Sequence, residues 1–130
     1  PCLRPFYSPL QFSVNGTIRT GVVTENNSRF ILTELPPGSM TIFPMDSIHF
    51  QVNDGCEPIL FVLTFNSEDP GALQIAQRFL GLPPDIVGAT QGDLVLEEVQ
   101  GLESQILDNV AIGTDACLKR CGITRPSQPT

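Results

Sequence analysis

A single histidine and four cysteines hold most of the reactive chemistry in this chain of 130 residues. His49 lies in the stretch GSMTIFPMDSIHFQVN, residues 38–53, and it is the only imidazole available. A hard redox metal such as manganese needs several imidazole and carboxylate donors to fix its coordination. One imidazole does not supply them. Gln51, two residues on, shares the face of His49 on an extended strand, whereas Asp46, three residues back, falls on the opposite face. Cys2 could offer a thiolate, but that ligand is softer than manganese prefers, and a disulfide would remove it. Nucleophile motifs are absent: there is no GxSxG, no P-loop and no GxGxxG. Paired carboxylates such as Glu97 and Glu98 fall on a helical surface, where a solvated face is the default. No residue is therefore assigned a catalytic role.

The cysteines point to compartment rather than catalysis. Cys2, Cys56, Cys117 and Cys121 form no CxxC pair and no CxxH, so zinc is a poor fit. Four cysteines in so short a chain favour an oxidising environment. Cys117 and Cys121 are four apart, on one face of a helix and too constrained to bridge each other easily. At least one is expected to reach back to Cys56 or Cys2, with the pairing left open. The sequons Asn15-Gly16-Thr17 and Asn26-Asn27-Ser28 agree with secretion and make Asn15 and Asn26 expected glycosylation sites. A net charge of −7 repels phosphate backbones, so nucleic acid is not an expected partner. No apolar run is long enough for a membrane span, and the opening PCLRPFYSPL lacks a basic-then-apolar signal layout. A secreted form would already have lost its signal.

The elements that must position these residues are mostly strands. Leu10, Phe12 and Val14 alternate with Gln11, Ser13 and Asn15, the period of a half-buried strand. Asn15-Gly16 is a hairpin-turn signal, which predicts that residues 17–23 return as the partner strand. Further strands are expected at residues 29–35, 40–43, 47–52 and, as a continuous apolar run, 58–65, separated by Pro36-Pro37-Gly38 and Asn53-Asp54-Gly55. Many short strands with turns at about ten-residue spacing predict a sandwich or barrel. Beyond Pro70 the period becomes helical. Leu73, Ala76, Phe79 and Leu80 share a face, with Asp69 as the N-cap, Pro70 at the first position and Gly81 closing the helix. A second helix from about Asp93 carries the stripe Leu96, Val99, Leu102, Ile106 and Leu107.

Gly38, Pro44, His49 and Asn53 match the second motif of the cupin superfamily, G(x)5PxGxxHxxxN, with Asp46 in place of one glycine. Asn15-Gly16-Thr17, the run Phe65 to Gly71, Leu82-Pro83-Pro84-Asp85-Ile86-Val87-Gly88 and the tail around Cys117 and Cys121 resemble germin-like cupins, most closely the fungal-type, spherulin-like secreted branch. The resemblance implies a mainly β fold, a cupin-type jelly-roll barrel, complete or left incomplete, with a C-terminal helical extension. It divides the chain into a barrel at 1–66, a helical extension at 67–123 packed on the barrel or on a partner subunit, and a flexible tail at 124–130. The family's first motif, HxHxxxxE, would fall where this chain has Cys2, Arg4 and Pro9, so the resemblance implies a lost metal centre and no cofactor. His49 is then a polar residue of the barrel interior. The expected role is a secreted, non-catalytic glycoprotein acting by binding or structure in the cell wall or apoplast, in stress, or on a host. A carbohydrate or a host protein is the expected ligand class. A manganese-dependent oxalate oxidase or superoxide dismutase, with ligands completed by another subunit, is the alternative. About six strands precede Pro70 where a jelly roll needs roughly eight, so a homodimer, or a homotrimer as in relatives, is expected to cover the open edge and the helical stripe.

Overall fold

A computed structural model describes residues 8–68, 71, 73–92, 94–106 and 113–124. Six strands and four helices follow one another as β1 (Leu10–Asn15), β2 (Ile18–Val23), β3 (Ile31–Leu35), β4 (Met40–Ile42), β5 (Ile48–Val52), β6 (Leu60–Thr64), α1 (Ile75–Leu80), α2 (Pro84–Thr90), α3 (Leu96–Glu103) and α4 (Asp115–Arg120). The chain forms two units, one of residues 1–71 with 112–130 and the other of residues 72–111. The tail helix α4 thus belongs with the strands.

The strands make two antiparallel sheets of three, ordered β4-β1-β6 and β3-β2-β5. Alternation decides what each sheet buries. Gln11, Ser13, Ile18, Thr20, Leu35 and Phe43 are all buried, and they occupy the facing surfaces of the two sheets. Stacking of Phe43, at the end of β4, on His49 of β5 shows the sheets meeting there. Three of these buried residues are polar. Thr20 Oγ1 donates to the Phe50 carbonyl at 2.8 Å and Ser13 Oγ to the Gly16 carbonyl at 2.8 Å, so neither hydroxyl is orphaned. Gln11 is different: it is fully buried, with both amide atoms unpartnered.

Asn15-Gly16 does not close a hairpin, contrary to the local signal. It carries the chain from one sheet to the other, because β1 pairs with β4 and β6 while β2 pairs with β3 and β5. Gly16 has φ +70°, and a Cβ there would collide with Ile59. The Asn15 side chain accepts a hydrogen bond from the Leu60 amide, so this turn is built to hold β6 rather than to pair β1 with β2. A second departure concerns β6. The strand expected from its continuous apolar run is there, yet all five of its residues are exposed, because β1 is its only neighbour among the described residues.

Gly21 gives β2 its fit. A Cβ at this position would meet the Phe30 and Phe50 rings at 2.5 Å each, and those rings lie near-parallel with centroids 6.1 Å apart. The bare backbone lets both aromatics cross the sheet.

In the second unit, α2 starts with Pro84, whose missing N–H costs nothing at that position. The helix after the strands starts at Ile75, later than expected; Gln74 is its N-cap with no side-chain bond, and Asp69 and Pro70 lie outside the described residues. The expected long helix is also shorter, ending at Glu103. Glu98 Oε2 accepts from the Val95 amide at 3.1 Å and fixes its start.

Candidate functional site

Two places hold the residues that the sequence singles out. His49 sits on β5 opposite Val22 of β2. Its ring stacks on buried Phe43 at 4.3 Å between centroids and 14° between planes. Nδ1 lies 3.1 Å from the Ser47 carbonyl; since a carbonyl only accepts, this contact is a hydrogen bond in the tautomer that carries the hydrogen on Nδ1. His49 is nevertheless exposed, not enclosed as expected, since the strands described leave that side of the interior open. The turn before it explains the altered motif. Asp46 adopts φ +62°, the left-handed conformation that favours glycine and that Asp tolerates better than most residues. Ser47 N bonds the Pro44 carbonyl across this turn at 3.2 Å.

The motif's asparagine has a visible task. Asn53 Oδ1 accepts from the Gly55 amide at 2.9 Å, and Nδ2 donates to the Glu57 carbonyl at 2.8 Å, so one side chain folds the whole β5–β6 loop. That loop is the second place. Cys56 within it is joined to Cys121 at the end of α4, across a sequence separation of 65. Arg120 donates to the Asp54 carbonyl, and Cys117 is a buried free thiol with Sγ 3.7 Å from the same oxygen. Thr114 caps α4 by accepting from the Cys117 amide at 3.3 Å. Cys2 lies outside the described residues.

Asn15 and Asn26 are both exposed, although Asn15 is tied to β6 through its carbonyl oxygen. The expected interface stripe divides. Val99 is fully buried within the helical unit, whereas Leu96 and Leu102 are exposed at 51% and 44%. Ile106 is half-buried beyond the helix end, and Leu107 lies outside the described residues.

Among the described residues, no three His, Cys, Asp or Glu side chains are grouped as a metal ion requires. The donor set at His49 therefore does not fit manganese, and no chemical step is derived through a metal here. Among the described residues, no helix is long and apolar enough to cross a membrane.

Two facing antiparallel sheets, with a motif histidine at the start of one strand and a loop-folding asparagine at its end, define a cupin-type β fold. The chain belongs to the cupin family, whose model matches residues 3–91. Within that family it is germin- and spherulin-like. Spherulin-1A of Physarum polycephalum is 38% identical over 124 residues, covering 95% of this chain and 50% of that protein. A germin-like protein of Arabidopsis thaliana, subfamily 3 member 1, is 38% identical over 89 residues, covering 66% of this chain and 42% of its own. The chain thus spans about half the length of the curated relatives it matches. An oxalate oxidase solved in complex with glycolate superposes with a TM-score of 0.69 over 79% of this chain and 54% of that one; at 19% identity this likeness concerns the fold.

Sequence reasoning missed Phe43 as the partner of His49, and it missed the Arg19–Asp54 ion pair, 2.8 Å long, beside the disulfide. Phe43 reaches the inner surface through the β1–β4 register, which sets Thr41 beside Gln11, and no local signal gives that register. Nothing local to Arg19 could have found Asp54.

Proposed function

We propose that this chain is a secreted, non-catalytic germin-like cupin that acts by binding or by structure, without a resident metal. The observation that carries the reading is the donor set: His49 stands on an aromatic ring, and Cys2, Arg4 and Pro9 occupy the positions that resemble the family's other ligands. The disulfide and the two exposed sequons support an oxidising, glycosylating route to the cell exterior. Manganese analysis of protein purified without chelator is the test. Less than stoichiometric metal, unchanged in His49→Ala, is expected; about one manganese per chain, lost with His49, overturns the reading. Mass spectrometry from the native source is expected to find sugar on Asn15 or Asn26, and bare peptides at both would remove the glycoprotein part.

The same reading includes self-association. Met40, Ile42, Leu60 and Val62 are 46–60% exposed on one outer sheet surface, and β6 presents an open edge. A second copy across that edge would pair its unbonded amides and cover the apolar surface in one isologous interface. A dimer is the expected state and a trimer the next.

A further inference from the structure

The turn between β1 and β2 carries the sequon Asn15-Gly16-Thr17, and the same turn walls a cleft at the loop end of the sheets. Gly16 and Thr17 line that cleft, about 340 Å³ in volume, together with Glu34 of β3, Ile59 and residues 53–57 of the β5–β6 loop. Its size lies within the roughly 300–1,000 Å³ of small-molecule sites. The walls are held in place. Asn53 folds the loop, the Cys56–Cys121 bridge anchors it, and Ile59 fills the space that a Cβ on Gly16 would need.

Asn15 immediately precedes these walls, and its carboxamide is already oriented. Oδ1 accepts from the amide of Leu60, the neighbour of Ile59, while Nδ2 has no partner among the described residues. Attachment of a sugar uses Nδ2 alone. Transfer from a lipid-linked diphosphate donor breaks the sugar's C1–O bond and forms C1–Nδ2, and the displaced proton leaves with the diphosphate. The Oδ1 bond to β6 survives that exchange, so it holds the first sugar beside Ile59 and Thr17. Asn26 has no such surroundings: its sequon lies in the turn at residues 25–28, and none of those residues lines the cleft. The walls suit a ring without any matching of charge. Half-buried Ile59 offers an apolar surface to a C–H face, and the exposed Glu34 and Glu57 carboxylates accept from hydroxyls. Tethering matters more than either contact. A group linked to Asn15 meets the cleft at an effective concentration of about millimolar, so even weak contacts keep it seated.

We propose that the first N-acetylglucosamine on Asn15 seats in this cleft and braces the β1–β2 turn against the β5–β6 loop. The inference rests on the glycoprotein reading above and adds where the sugar goes and what it holds. The test compares two forms of the whole chain carrying Asn26→Gln. One comes from a bacterial host that forms disulfides but adds no sugar; the other comes from a glycosylating host and is trimmed by endoglycosidase to a single N-acetylglucosamine on Asn15. Amide exchange is read by NMR at Gly55, which donates to Asn53 Oδ1 and lines the loop side of the cleft. Exchange there is expected to slow about fivefold in the sugar-bearing form, the equilibrium factor of one net hydrogen bond. Nuclear Overhauser contacts should join the sugar to the Ile59 methyl groups. In Ile59→Ala the difference between the two forms should disappear, and because each form is compared with its own counterpart, any cost of the substitution to the fold cancels. A sugar-bearing form whose Gly55 exchanges as fast as in the bare form, or whose sugar makes no contact with Ile59, overturns the proposal and leaves the glycoprotein reading standing. Asn15 left bare by the glycosylating host overturns the proposal as well, and the native-source peptides then decide the wider reading on Asn26.

Discussion

Removing the bridge between Cys56 and Cys121 should cost this chain much of its stability. The two cysteines are separated by 65 residues, a loop that takes in β6 and all the helices before α4. Closing a loop of that length restricts the unfolded chain by an entropy worth about 4 kcal/mol at 25 °C. Measured losses fall below this limit when the unfolded state retains structure, so about 2–4 kcal/mol is the expected range for Cys56→Ala with Cys121→Ala. At about 3–5 °C per kcal/mol for a chain between the small and medium size classes, the melting temperature should fall by about 6–20 °C. The double substitution avoids leaving a new thiol beside Cys117. Circular dichroism melts under non-reducing conditions would read the global effect. Thiol labelling in a Cys2→Ser background would read the local one, because Cys117, on the inner side of α4, is only 7% exposed. Faster labelling with a lower melting temperature is expected. An unchanged melt together with a still-protected Cys117 would refute the reasoning, since α4 would then be held by its contacts with Asn53 and Asp54 alone.

Phe43→Ala empties a fully buried ring position between the sheets and should cost about 3–5 kcal/mol in chemical denaturation; a loss below about 1 kcal/mol would mean that the sheets do not meet there. Gly21→Ala forces the Phe30 and Phe50 rings apart and should destabilise by about 1–3 kcal/mol, with an altered near-ultraviolet spectrum; an unchanged spectrum would contradict the packing. Sedimentation at micromolar concentration should find two or three chains, and Val62→Lys on the open edge should shift the distribution toward monomer; a parent that is already monomeric would show that this surface needs no second copy.

The strands were readable because period-two alternation is a local property, but which face of β1 turns inward was not: the polar Gln11 and Ser13 are buried, while Leu10 and Phe12 are half-exposed and Val14 is exposed. Which strand pairs with which is not local. Asn15-Gly16 carries every short-range mark of a hairpin, and only the distant Leu60 amide and Ile59 side chain, more than 40 residues on, turn it into a crossing between sheets. The helical stripe divides for a related reason. Its spacing is correct, but Val99 satisfies the need for burial within its own unit, so the residues that remain exposed are Leu96 and Leu102. At His49 the sequence supplied the frame and the missing donors, while exposure was invisible because it depends on how many strands stand beside β5. The cleft was beyond sequence reading altogether. Arg19, Glu34, Asp54 and Glu57 are ordinary surface types spread over three segments, and each alone predicts a solvated face. They converge because β2 is a central strand: Arg19 faces Glu34 on one side and Val52 on the other, so the loop that follows Val52 must fold over the same end. Asn53 then closes that loop back on Glu57, and the disulfide fixes it to α4. The motif that carries His49 therefore also folds, through Asn53, the loop that lines this recess.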